Sequence, residues 1–117
     1  MESHVYTLVR RPDWELAERA GAYAGSADDR RDGFLHFSTA AQLRTTAARH
    51  RAGEADLVIV EAMVATLGEA LRFEPPASGR AGLFPHLYGS LPLSAVSRVL
   101  PLPLGADGLH IFPEGFS

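Results

Sequence analysis

Asp56 to Val64 is the most hydrophobic stretch of this chain, and its centre, Leu57-Val58-Ile59-Val60, is apolar at four consecutive positions. Successive side chains of a strand point to opposite faces. A run that is apolar at both parities therefore predicts a central strand buried on both sides, and that strand demands covering layers above and below it. The run is far short of the ~20 apolar residues a membrane helix needs, so no membrane association is expected. With 117 residues, 46% of them hydrophobic, one domain spanning 1–117 can supply the layers from a single core.

The remaining elements follow from pattern and punctuation. His4 to Arg10 alternates and reads as a strand. Pro12 suits the first turn of a short helix that Gly21 ends, with Trp14 and Ala17 on one face. Ala22 to Gly33 reads as a polar connection holding the turn signals Gly25-Ser26 and Asp32-Gly33. Gly33 to Ser38 is a second strand running into a helix from about Ala40 to Ala52, with Thr39 and Gln42 at capping-box spacing and Gly53 as a left-handed stop. One or two helical turns are expected over Thr66 to Leu71, and Glu74 to Gly79 forms a loop that could pass over a site. Leu83 to Tyr88 begins a strand interrupted by Pro85, and Pro92 to Val96 suits a short helix. Ser97 to Leu104 and Gly108 to Phe112 read as two closing strands, with Pro101 and Pro103 tolerated at an edge. The expected fold is α+β: five to six short, mostly antiparallel strands with two to four helices.

Composition removes several chemistries. Without cysteine there are no disulfides, thiol nucleophiles or thiolate zinc sites. Every cation is arginine, which excludes Schiff-base chemistry and a Walker-type phosphate lysine. A net charge of −3 argues against broad nucleic-acid binding. The N-terminus shows no basic-then-apolar leader, so a cytoplasmic location is expected. The five histidines have no tight ligand spacing, and no metal site is expected. Asp28-Asp29-Arg30-Arg31-Asp32 resembles an acidic magnesium motif only superficially, because such motifs need a much larger helical bundle; a solvated turn is expected, with Asp32 placed to orient His36.

Two short segments concentrate the chemistry. Asp32-Gly33-Phe34-Leu35-His36-Phe37-Ser38-Thr39 and Phe84-Pro85-His86-Leu87-Tyr88-Gly89 each carry an imidazole and a hydroxyl two residues apart. On a strand each pair would share a face, where polar groups need a partner or a ligand. The first segment ends at a helix N-terminus, which favours an anion or carbonyl oxygen. Ser38 and Thr39 are equally explained by helix capping. Tyr88 offers a flat aromatic face and a hydroxyl.

These segments, with Trp14, Gly25-Ser26 and Gln42, resemble a bacterial family of unknown function, domain-of-unknown-function family 952, over roughly Val5 to Val99. Leu35 stands where that family usually has isoleucine. The family in turn is distantly similar to the ADP-ribosyltransferase fold. That resemblance implies that His36 would contact a nicotinamide ribose, Ser38 a carboxamide and Tyr88 the ring, with NAD as a substrate rather than a resident cofactor. Phe37 departs from the pattern, because glycine stands there in those enzymes. Their final-strand glutamate has no counterpart in this sequence, since Glu114 lies beyond Pro113; His86 could act instead.

Three readings remain open. The first is an ADP-ribosyltransferase-like enzyme or a binder of NAD- or ADP-ribose-type nucleotide ligands. Its catalytic candidates are His36 and His86, and its binding candidates are Ser38, Thr39, Tyr88, Trp14 and Asp32. The second is a phosphoesterase using the two histidines as acid and base. The third is a small binding module without catalysis, its histidines structural.

Overall fold

The computed structural model describes residues 2–77 and 79–116; Ser78, within the expected 74–79 loop, lies outside the described residues. Strand β1 (His4–Arg10) leads into helix α1 (Arg11–Ala20). Proline opens α1, Asp13 sits in its first turn and Arg19 in its last, in accord with the helix dipole. Gly21 ends it at φ +89°, donating its N–H to Ala17 O. Strand β2 (Ala22–Tyr23), helix α2 (Ala27–Asp32) and strand β3 (Leu35–His36) follow, then helix α3 (Leu43–His50). Strand β4 (Leu57–Met63) is succeeded by α4 (Val64–Leu67) and a 3₁₀ turn at Gly68–Ala70. Strands β5 (Leu71–Glu74), β6 (Phe84–Leu87) and β7 (Leu91–Pro92), a 3₁₀ turn at Leu93–Ala95 and β8 (Val96–Leu102) complete the order.

The strands form an antiparallel sheet β1-β4-β8, a second sheet β3-β6-β5 and a two-stranded ribbon β2-β7. β4 is the middle strand of the first sheet and is buried from Leu57 through Ala62, as its apolar run demands. Its parity divides the core. Val58, Val60 and Ala62 pack with Val5 and Val9 of β1, Trp14 and Ala17 of α1, and Leu35, Leu71 and Leu87 of the second sheet. Leu57 and Ile59 pack on the other face with Tyr6, Leu8, Leu43, Ala47, Leu102 and Phe116. Each fully buried aliphatic side chain is worth about 1.5–3 kcal/mol relative to exposure, so both faces contribute to stability. β8 is an edge strand, which accommodates Pro101.

One segment ties the sheets together. His36 pairs with His86 in β6, Phe37 donates its N–H to Pro85 O at 3.0 Å, and Ser38 exchanges both backbone hydrogen bonds with Tyr6 of β1 at 2.7 and 2.8 Å. Residues 35–38 therefore belong to both sheets.

The α+β class and antiparallel pairing agree with the sequence, while the details differ for physical reasons. Eight strands are seen among the described residues where five or six were expected, because β2 and β7, of two residues each, are too short to show a period and the four-residue β5 lies between the expected helical turns and the expected loop. The expected polar connection 22–33 contains β2 and α2. The helix expected from Ala40 begins at Leu43, since Thr39 and Gln42 bond each other reciprocally across a preceding turn. The short helix expected over Pro92 to Val96 is a 3₁₀ turn at Leu93–Ala95, with Pro92 paired in β7. Gly108 to Phe112 makes only an isolated bridge, Leu104 to His110; prolines at 103 and 113 lack the N–H donors that would extend a ladder. Among the described residues, no helix is long and apolar enough to cross a membrane.

Candidate functional site

The first half of the site is built by α2. Ser26 caps this helix, its Oγ accepting from Asp29 N at 3.2 Å while Ser26 N donates to Asp29 Oδ2 at 2.8 Å. The sequence Ser-Ala-Asp-Asp thus spells a capping box. Gly25 is required beside it: its φ is +103°, and a Cβ there would lie 2.8 Å from Asp29 Cβ. The other oxygen of the buried Asp29, Oδ1, accepts from His36 N at 3.0 Å and from His36 Nδ1 at 2.5 Å. His36 Nε2 stands 2.9 Å from Asp32 Oδ2. Carboxylates only accept, so a ring that donates at both nitrogens is an imidazolium. The Asp29 hydrogen bond, against some desolvation and with help from Asp32, raises the His36 pKa above its ordinary value. Burial works to raise the Asp29 carboxyl, yet the bonds from the His36 ring and from the Ser26 and His36 amides hold it below the ordinary value.

The second half is built by β5 and β6. His86, 4% exposed, donates from Nδ1 to Glu74 Oε1 at 2.9 Å, and the Tyr88 hydroxyl donates to the same oxygen at 2.7 Å. Residues two apart on this segment do share a face. His86 Nε2 has no hydrogen-bond partner among the described residues. Phe34 stacks on His86 at 4.1 Å between centroids and lies 4.7 Å from His36. The two imidazoles are 5.9 Å apart.

Both rings line one cleft of about 600 Å³, within the size range of small-ligand pockets. Phe34, Phe84, Ser38, Thr46 and His50 share its wall, and Arg31 and Arg80 bring positive charge to it. Ser38 is buried, its Oγ 2.8 Å from Thr46 Oγ1. Asp32 also lines the cleft and is held below the ordinary carboxyl range by Arg31 and His36.

Of the residues singled out from sequence, His36, His86, Ser38 and Asp32 are brought together in this cleft. Tyr88 lies beside it: its hydroxyl is engaged by Glu74, and the Arg72 guanidinium covers its ring at 4.8 Å. Thr39 serves the turn before α3 through Gln42. Trp14 sits in the core against Tyr23, outside the cleft wall, and its indole N–H finds no partner among the described residues. Sequence reasoning missed Asp29 and Glu74, which orient the histidines, and Phe34, the aromatic ring between them. Only the capping-box spacing from Ser26 to Asp29 carried a signal. Among the described residues no three histidines or acids converge as a metal site.

The family described as "Protein of unknown function (DUF952)" matches residues 8–99. The crystal structure of protein CC0527 from Caulobacter crescentus is similar, with a TM-score of 0.86 and 38% identity over 93% of this chain and 94% of that one. Its solution structure gives a TM-score of 0.80 and 40% identity over 91% and 90% of the two chains. No curated protein matches the chain.

Proposed function

The chain belongs to the DUF952 family, and from its site we propose that it binds a small nucleotide-type ligand of the NAD or ADP-ribose class in the cleft between His36 and His86. One observation carries the reading: two imidazoles 5.9 Å apart, in different hydrogen-bonding states, share a cleft large enough for such a molecule. Asp29 is buried and holds Nδ1, while Asp32 is the more exposed partner at Nε2. A ribose hydroxyl or phosphoryl oxygen can replace the Asp32 carboxylate and take the Nε2–H of the imidazolium. Phe34 offers apolar surface for a planar ring, the role the family resemblance would give to Tyr88.

Calorimetric titration with NAD and ADP-ribose tests this directly. Binding that weakens in His36→Ala supports it, and no heat at millimolar ligand overturns it.

A second reading draws on the unlike states of the two rings. Imidazolium His36 is equipped as an acid and His86, with its free Nε2, as a base, the division a phosphoester cleavage uses. Turnover of a 2′,3′-cyclic nucleotide that is lost in both His36→Ala and His86→Ala would establish it. Undiminished turnover in either variant removes it.

A further inference from the structure

We infer that Arg80, with Thr46 and Ser38, forms a phosphoryl-binding subsite at one end of the cleft; this rests on the reading that the cleft holds a ligand. Arg80 is half-buried in the cleft wall. Of the arginines in the cleft wall, Arg31 and Arg51 each have a carboxylate within 4 Å, whereas Arg80 has none among the described residues. A partly desolvated cation without a counter-ion is costly, and an incoming anion removes that cost.

The guanidinium is also held in place. It lies over the Phe84 ring at 4.3 Å, and its Nη1 donates to Thr46 Oγ1 at 3.1 Å. Thr46 Oγ1 in turn is 2.8 Å from Ser38 Oγ. Stacking fixes the plane of the fork and leaves further N–H groups to donate. This preorganisation is what bidentate recognition of a phosphoryl group requires.

The surroundings favour an anion further. His50 shares the cleft wall, and burial together with the charges of Arg80 and Arg49 lowers its pKa. The positive charge at this end of the cleft is that of Arg80 and of Arg49 in α3. Ser38 lies two residues from His36, about 7 Å along a strand. A phosphoryl group on Arg80 would therefore place an attached sugar within reach of the His36 imidazolium. The cleft acquires a polarity, anion toward Arg80 and sugar toward His36.

The test is an amide-resolved NMR titration of the full chain with pyrophosphate, succinate, adenosine and ADP-ribose. Pyrophosphate should move the Ser38, Thr46 and Arg80 signals saturably. Arg80→Gln should weaken it about tenfold or more, the loss of charge-assisted bonds. Arg80→Lys should retain part of the affinity, and Thr46→Val should lose a smaller part. Succinate should bind more weakly than pyrophosphate at these signals; equal or tighter binding would overturn the phosphoryl assignment. Unchanged pyrophosphate affinity in a folded Arg80→Gln, or shifts confined to other residues, would also overturn it. If pyrophosphate binds as described and neither adenosine nor ADP-ribose does, the subsite stands and the nucleotide reading falls. If adenosine or ADP-ribose binds with no response at Arg80 and Thr46, the subsite falls and the nucleotide reading stands.

Discussion

Replacing Asp29 by asparagine should uncouple the His36 imidazolium from the fold and lower stability by about 2–3 kcal/mol near pH 6. The carboxylate side chain is 7% exposed and accepts three hydrogen bonds: Ser26 N at 2.8 Å, His36 N at 3.0 Å and His36 Nδ1 at 2.5 Å. Bonds to a charged acceptor are worth about 1.5–3 kcal/mol and neutral ones about 0.5–1.5, so neutralisation costs about 1 kcal/mol at each backbone amide. The His36 side chain is 41% exposed, and solvent screening holds its share below about 1 kcal/mol. Two signs fix the pH dependence. The raised His36 pKa gives stability that is complete below its ordinary 6.5 and fades as pH rises through the folded value. The lowered Asp29 pKa gives stability that is complete above its ordinary 3.8 and fades as pH falls through the folded value. The gap between wild type and Asp29→Asn should therefore be widest between about pH 5 and 6.5 and narrow on both sides. Urea unfolding across that range, with the His36 ring titrated by NMR in both proteins, measures it. A gap that is flat from pH 5 to 9, or an unmoved His36 titration, would refute the reasoning.

Three further outcomes are expected. Glu61, buried in β4, is held to a pKa of about 2, first by Arg98 and then, against desolvation, by Ser97. Glu61→Gln should cost about 1.5–3 kcal/mol at neutral pH, a loss that shrinks as pH falls from about 4.5 toward 2; a gap that persists undiminished in urea unfolding at pH 2 would count against the ion pair. Leu43→Ala removes a fully buried side chain from the face of β4 covered by α3 and should cost about 2–5 kcal/mol in urea unfolding, whereas a cost below about 1 kcal/mol would contradict that packing. Trp14 fluorescence should resist acrylamide and stay constant as ADP-ribose fills the cleft; a ligand-dependent change would put the indole in the binding site instead.

The parts of this fold legible in the sequence were those with a period or a stop signal. β4 announced itself because burial on both faces needs apolar residues at both parities, and α1 because Pro12 and Gly21 punctuate it. α2 went unread because six residues give no amphipathic period; its stability comes from the Ser26–Asp29 box and from His36 docked against it. The same blindness hid the site's partners. His36 and His86 were visible as polar residues in apolar runs, but Asp29 and Glu74 reach them across turns that only the tertiary fold closes. Tyr88 shows the reverse error: a good aromatic platform by type, it is engaged by Glu74 and Arg72. Phe34 has the position that was expected of it.

Because residues 35–38 pair with β6 on one side and with β1 on the other, the segment has no slack. Removing or inserting one residue there would invert its pleat, turning the Phe37 ring toward the cleft and the Ser38 hydroxyl toward the core. Sliding to recover the register would have to break pairings in both sheets at once. Length variation should therefore be tolerated in the surrounding loops and lethal within these four residues. A deletion scan read out by soluble yield would see that boundary as a sharp step at Leu35 and again at Ser38.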